Sequence, residues 1–308
     1  MGVIDCGWLD RDRVNHCATV CPHGKGVLIA WYAAPREAHS TQRVYVVYWQ
    51  EGVKHYEPVT MTEPGAGNPV LWAIDRNAAV LMYSRFEQLD CGNIIYRWRW
   101  CSNWLVTINN RNPRTGKRMP TTPEIGCLGR IQPIRYRDEW LLPMYREMDP
   151  CGIIMASRNG LDWTERGRIR ERETHNGKYG KGVLMQPALW AWGNFISAIC
   201  RDISRSKFAW YANSIDAGAT WSTPTLDQLP NYNSSVTAWD DGRRVRFVWN
   251  TTPKRKVLML GDVEYGTQIN TEKASYPNVC KDHEGRWHLV HTEERDGRKQ
   301  IRHRIIDD

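Results

Sequence analysis

Phenylalanine is scarce in this 308-residue chain: there are 4, against 16 Trp and 13 Tyr. Such an aromatic set argues against a core built on plain phenyl packing. It suits half-buried sheet faces and sugar-stacking platforms, where a ring covers apolar surface and its polar tip stays wet. No C-x-x-C pair occurs among the nine cysteines, and no zinc spacing is visible. Their odd, scattered number predicts free, mostly buried thiols in a reducing setting instead of a disulfide framework. No apolar run approaches about 18 residues, so no transmembrane helix and no membrane partner is expected. The opening stretch Met1-Gly2-Val3-Ile4-Asp5-Cys6 lacks a basic n-region and an apolar h-region. No Sec signal is therefore expected, which points to the cytoplasm or a virus particle. Long Lys/Arg blocks are also missing. The formal net charge of +8 then reads as a basic surface suited to anionic glycans ahead of nucleic acid.

No stretch carries convincing helical periodicity, but a repeat is present. A polar residue and often a Pro open a strand, a turn follows about six residues later, and an apolar, aromatic strand comes next. The openings are His16-Cys17-Ala18, Asn68-Pro69-Val70, Gln132-Pro133-Ile134, Gln186-Pro187-Ala188, Asn233-Ser234-Ser235 and Tyr276-Pro277-Asn278. Measured between Ala18, Pro69, Pro133, Pro187, Ser235 and Pro277, the spacings are 51, 64, 54, 48 and 42 residues. Each length suits one four-stranded antiparallel blade, and six openings imply a six-bladed β-propeller in a single domain. The second strands are expected at 27–32, 79–83, 140–145, 195–200, 246–249 and 287–291. The last blade runs out of chain, so the N-terminal segment 3–9 is expected to complete it and close the ring, leaving no open edge. The Gly-, Pro- and charge-rich stretches 109–123 and 166–181 read as long loops.

One octet punctuates this repeat: Ser214-Ile215-Asp216-Ala217-Gly218-Ala219-Thr220-Trp221. Ser and Asp can bond the turn's own backbone, and Gly supplies a positive φ. The octet resembles the Asp box of the sialidase superfamily, a folding turn remote from the active site. Ser157-Arg158-Asn159-Gly160-Leu161-Asp162-Trp163 reads as a faded copy, and Ser102-Asn103-Trp104 as a more worn one. Their Trp residues lie 59 and 58 apart, which suggests a blade ruler.

By this register, charged residues gather where inner strands begin and second strands end: Arg36-Glu37, Arg85, Glu87, Arg146-Glu147, Arg201-Asp202 and Glu293-Glu294-Arg295. The aromatics Trp31, Tyr83, Tyr145 and Trp249 interleave with them. Arg pairs bidentately with carboxylates, aromatics stack on sugars, and paired acids can move protons. A network of loop ion pairs would produce the same pattern.

The whole chain resembles the BNR/Asp-box exo-sialidase-like family. The stretches that carry the likeness include Leu28-Ile29-Ala30-Trp31-Tyr32 with Pro35-Arg36-Glu37, Leu141-Leu142-Pro143-Met144-Tyr145, Leu229-Pro230-Asn231-Tyr232-Asn233-Ser234 and Ser275-Tyr276-Pro277. The resemblance implies three Arg on the substrate carboxylate, a Tyr nucleophile activated by a Glu, and an Asp proton donor. Arg201 matches the second Arg, Arg255 the third, and Tyr276 the nucleophile. Three positions depart from the pattern. The first Arg position reads His16. No Asp occurs in His39-Ser40-Thr41-Gln42-Arg43, where the proton donor should lie. Gln186 stands near the place of the Tyr-activating Glu and cannot act as a base. Glu37 and Glu147 are the carboxylates left to supply a proton.

The leading expectation is thus a sialidase-like hydrolase that releases a terminal acidic sugar from a glycan. In it Arg36, Arg146, Arg201, Arg255, His16, Gln186, Asn233 and Trp249 would contact substrate, and Tyr276 with Glu37 or Glu147 would carry the chemistry. The missing acid and base keep a non-catalytic glycan-binding propeller in play. A polysaccharide lyase using Tyr276 and His16 is a third reading. No cofactor or metal is expected.

Overall fold

The computed structural model describes residues 14–53, 57–87, 94–109, 112–113, 117–119, 126–170, 183–270 and 272–306. The fold is all-β, with six small antiparallel sheets, and is that of a six-bladed β-propeller. Contacts divide the chain into two compact units, Met1–Gln132 with Tyr276–Asp308, and Pro133–Ser275.

The first unit holds three sheets. One comprises Val14–His23, Gly26–Ala34, Arg43–Trp49 and Val59–Thr60, paired in that order. The next comprises Ala66–Ala73, Ala78–Phe86, Cys101–Asn109 and Asn112–Pro113, with Lys117–Arg118 also on Cys101–Asn109. The last comprises Lys273–Lys281, Trp287–Arg295 and Arg298–Ile306, three strands among the described residues. The expected closing strand at 3–9 lies outside the described residues. The second unit holds Ile134–Tyr136, Glu139–Arg146, Gly152–Ser157 and Thr164–Ile169 in one sheet. Leu184–Trp192, Phe195–Asp202, Phe208–Ser214 and Thr225–Pro230 make another; Thr237–Asp240, Val245–Asn250, Leu258–Gly261 and Gly266–Gln268 make the third.

All six expected second strands are present, each within a slightly longer strand. Most of their β-branched and aromatic residues are buried, as in Gly26–Ala34, where every residue is buried; Phe195, at the start of its strand, is exposed. Two expectations need correction. The stretch 109–123 contains the short strands Asn112–Pro113 and Lys117–Arg118, and 166–169 belongs to the strand Thr164–Ile169; residues 171–182 lie outside the described residues. A short helix, Ile94–Arg99, also occurs. Six residues are too few to show a 3.6-residue period.

A recurrent irregularity marks the innermost strands. The ladder register shifts between His16 and Thr19, between Gly67 and Val70, and between Met185 and Ala188. At each shift one residue is left-handed: Cys17 at φ 55°, Asn68 at 45° and Gln186 at 49°. Asn233 at 56° and Tyr276 at 55° hold the same conformation at two further openings. The three at Cys17, Asn68 and Gln186 are β-bulges, each adding one residue to the inner strand and re-aiming its side chain.

The octet at 214–221 forms the expected turn. Ser214 Oγ donates to Asp216 Oδ1 at 2.8 Å and accepts from the Gly218 amide at 2.8 Å. Asp216 also accepts from the Thr220 amide and hydroxyl, which hold its carboxyl down at about 2. Trp221 folds back and donates to the Gly218 carbonyl at 3.0 Å. Gly167 of the neighbouring strand lies so close that a Cβ there would sit 2.3 Å from the Gly218 oxygen. In the copy at 157–163, Asn159 Oδ1 accepts from the amides of Leu161 and Asp162, both at 2.9 Å. The amide oxygen thus does the work of the carboxylate. The third copy is not a turn: Ser102, Asn103 and Trp104 lie inside Cys101–Asn109. The Trp104 spacing therefore does not measure blades. Trp163 is fully buried, and Trp163→Ala should cost about 3–5 kcal/mol, read as a lower denaturant midpoint.

A buried polar chain crosses the last sheet. Asp282 Oδ2 accepts from His288 Nε2 at 3.0 Å, and His288 Nδ1 lies 2.8 Å from His303 Nε2. A carboxylate only accepts, so a neutral His288 donates through Nε2 and receives the His303 proton at Nδ1. Trp49 packs edge-on against both rings. Burial pushes His303 down to about 3, and burial with Arg304 and Arg302 pushes His291 to about 3. Between about pH 6.5 and that value the unfolded chain binds more protons than the folded one. Stability is therefore fully present above about pH 6.5 and lost as pH falls toward 3. Thermal melts from about pH 7.5 to about pH 5 should show Tm falling, and His303→Gln should flatten part of the slope.

Candidate functional site

In the second unit, the bulge in Leu184–Trp192 turns Gln186 out of the ladder. Its Nε2 donates to Tyr145 Oη at 3.2 Å, and its Oε1 accepts from Arg201 Nη1 at 3.1 Å. Arg201 sits on the paired strand opposite Met185. Its Nε donates to Asn233 Oδ1 at 2.7 Å. Arg255, the last residue of the 3-10 turn Pro253–Arg255, donates from Nη2 to the Asn233 carbonyl at 3.1 Å. Four residues expected at the site, Gln186, Arg201, Asn233 and Arg255, are thus joined in one hydrogen-bonded group with Tyr145. The Arg201 guanidinium is half-buried and held by two neutral amide oxygens. Among the described residues it has no carboxylate partner. A positioned cation without a counter-ion is an anion-binding element.

Other expected residues of this unit have the following surroundings. Arg146 is 3.9 Å from Asp149, which also pairs with Arg170 at 3.0 Å. Glu147 follows in the bend after Glu139–Arg146. Trp249 is buried beneath the outer strand, where its ring fills the space a Cβ on Gly266 would need. It packs as core and presents no open face. Asp202 is also buried. Its burial cost is outweighed by hydrogen bonds from Ser204, Trp210 and Ser206, which hold its carboxyl below the usual range.

In the first unit, the left-handed residue Tyr276 lies against His16, with ring centres 4.6 Å apart and planes at 84°. His16 Nδ1 is 3.0 Å from Thr292 Oγ1, which also accepts from the Cys17 amide at 3.2 Å. Tyr32 meets His16 from another side, centres 5.7 Å apart. Burial pushes the Tyr32 phenol well up, and the neighbouring Cys17, Glu37 and Tyr276 push it further. Tyr32 therefore stays protonated and is a hydrogen-bond group, not a base. Glu37 is within electrostatic reach of Tyr32, half-exposed, and 3.9 Å from Lys299. Tyr276, His16 and Tyr32 thus form one aromatic cluster, and Glu37 lies in the electrostatic surroundings of Tyr32. Arg36 beside it is exposed.

Arg130 is the residue that sequence reasoning missed. It is 1% exposed, and its guanidinium lies over the Tyr276 ring, 5.3 Å from the centre. It donates to the carbonyls of Ala18 at 3.1 Å, Tyr276 at 2.5 Å and Pro277 at 3.2 Å. These carbonyls lie at or beside the left-handed residues Cys17 and Tyr276, and buried carbonyls need a donor. The available signal was its place three residues before the Pro133 opening. Among the described residues no group of three or more His, Cys, Asp or Glu could hold a metal ion. No helix of the described residues is long and apolar enough to cross a membrane. The seven described cysteines are free and buried.

The arrangement of sheets defines a six-bladed β-propeller. Trypanosoma rangeli sialidase in complex with the inhibitor DANA matches with a TM-score of 0.72 at 12% identity, over 98% of this chain and 59% of that one. A Hadza microbial sialidase matches with a TM-score of 0.74 at 10% identity, over 94% and 65% of the two chains. A Dyadobacter fermentans protein of unknown function matches with a TM-score of 0.76 at 13% identity, over 96% and 95%. The chain spans a little over half the length of the T. rangeli sialidase chains, 54% and 59% in two of them. At such identities the likeness is one of fold. No curated protein matches the sequence. Residues 25–289 match the BNR repeat-like domain, and the chain belongs to that family.

Removing the Arg130 clamp tests its structural role. Arg130→Met keeps much of the volume but leaves three buried carbonyls without their donor. It should lower stability by about 3–5 kcal/mol, measured as the shift in urea midpoint.

Proposed function

We propose that the protein is a sialidase-like glycoside hydrolase acting on a terminal acidic sugar of a glycan. The observation that carries this reading is Arg201, fixed by Gln186 and Asn233 and lacking a carboxylate partner among the described residues. Arg201 with Arg255 takes the sugar carboxylate. Tyr276 serves as nucleophile or charge stabiliser, in a cluster with His16 and Tyr32. Glu37 is preferred to Glu147 as proton donor because it lies in the electrostatic surroundings of Tyr32. The sialidases of the same fold, one with the inhibitor DANA bound, support the substrate class.

A second reading, a glycan-binding propeller without turnover, is favoured by Gln186. Its amide is committed on both sides, to Tyr145 and Arg201, and it has no proton to exchange at neutral pH.

One experiment separates them. The protein is incubated with sialylated and uronate-terminated oligosaccharides, and released monosaccharide and affinity are both measured. On the hydrolase reading, acidic sugar is released, and Tyr276→Phe abolishes release while leaving affinity within about threefold. Arg201→Ala should weaken affinity by about 30-fold or more, the loss of roughly 2 kcal/mol of charge-assisted bonding. Binding without release, unchanged in Tyr276→Phe, establishes the binding module instead.

A further inference from the structure

A crevice of about 500 Å³ opens in the first unit between its first two sheets. Arg43, Thr60, Met61, Thr62 and Glu63 line it from one sheet and the chain leaving it. Ala66, Tyr83, Arg85 and Trp104 line it from the other. The volume is that of an ordinary small-ligand site. It shares no residue with the Arg201 group or the Tyr276 cluster.

The charges in the crevice are placed and unspent. The Cζ of the exposed Arg85 lies over the Trp104 ring, 5.1 Å from its centre. Among the described residues it makes no ion pair. Trp104 packs against the buried core cluster on its own side, so the platform under Arg85 is rigid. Arg43 donates from Nη1 to the Thr62 carbonyl at 3.3 Å, which orients its fork. Glu63 is exposed, and it and Arg85 are both within electrostatic reach of the Tyr83 phenol. Stacking pre-organises a guanidinium and leaves its donor edge available.

We propose that this crevice binds the carboxylate-bearing sugar unit of an acidic glycan, as a site separate from Arg201. Arg85 and Arg43 receive the carboxylate in bidentate fashion. Glu63 and the Tyr83 hydroxyl take sugar hydroxyls, and Met61 offers an apolar wall. The mixed lining selects among ligands. A bare sulfate meets the Glu63 carboxylate with nothing to give it, and a neutral sugar leaves two guanidinium groups unsatisfied. The choice of a glycan rests on the function proposed above; the anion-binding geometry does not.

The test is calorimetric titration with a tetrasaccharide of alternating glucuronate and N-acetylglucosamine, its carboxyl-reduced counterpart, and inorganic sulfate. The proteins are wild type, Arg85→Ala, Glu63→Gln and Arg201→Ala, each checked for native circular dichroism. The expected result is a binding event that Arg85→Ala weakens at least about tenfold and Glu63→Gln by a smaller factor. Arg201→Ala retains that event, and the reduced sugar and sulfate do not compete for it. If wild type shows only this event and Arg201→Ala removes nothing, the crevice stands and the Arg201 reading falls. If Arg85→Ala binds like wild type, if Arg201→Ala abolishes all binding, if sulfate competes equally, or if the tetrasaccharide does not bind, the crevice proposal is overturned.

Discussion

The left-handed residue in the innermost strands is the constraint on which much else depends. An L-residue with a side chain enters that region at a cost of order 1–3 kcal/mol, and a bulky one such as Tyr276 enters it with difficulty. Here the step recurs at Cys17, Asn68, Gln186, Asn233 and Tyr276. Three of these precede a proline, which disfavours the right-handed helical alternative. At Cys17, Asn68 and Gln186 the step interrupts the ladder, releases main-chain groups from their usual partners and swings one side chain out of the pleat.

The released groups are then served by side chains reaching from other sheets of the same unit. Thr19 Oγ1 accepts the Leu71 amide, and Asn278 Oδ1 accepts the Val20 amide. Gln132 Nε2 donates to the carbonyls of Val20 and Val279, and Arg130 covers those of Ala18, Tyr276 and Pro277. A polar lattice therefore links neighbouring sheets where an all-apolar contact would leave orphaned backbone groups. This lattice surrounds the left-handed residues Cys17 and Tyr276 of the first unit, while in the second unit the bulge at Gln186 directs its side chain to Tyr145 and Arg201. Chemistry can then vary at those side chains while the scaffold is kept.

The fold was legible because bulges and turns leave composition marks. The polar residue before Pro or a small residue signals the bulge, and Ser with Asp or Asn, Gly and Trp signals the turn. Asn159 could be recognised because an amide oxygen accepts the same two backbone protons as a carboxylate. Trp104 misled because a tryptophan in a strand and one closing a turn look alike by spacing alone. Trp249 misled for a related reason. Its strand, Val245–Asn250, ends in four consecutive buried residues, so alternation does not tell which face a ring occupies. Gln186, Arg201, Asn233 and Arg255 were found through resemblance and the register of the openings. Arg130 was not, because one arginine among many in a basic chain carries no mark of burial. Only the count of main-chain carbonyls beside the left-handed residues calls for it.

Arg130 and Arg201 show how one side chain type is given two fates. Arg130 is fully enclosed, and its charge is spread over three carbonyl dipoles whose positions the backbone dictates. An incoming anion would have to displace main chain to reach it. Arg201 is held at two of its nitrogens by side-chain amides, which orient it without neutralising it. Gln186 is decisive in that difference. A glutamate there would pair with Arg201 across the same 3.1 Å contact and offset its charge, leaving less attraction for an external carboxylate. The amide removes a base from the neighbourhood and in the same step leaves the guanidinium its full pull on an anion. On the function proposed above, turnover and affinity are thus set against each other at Gln186, where the amide favours affinity.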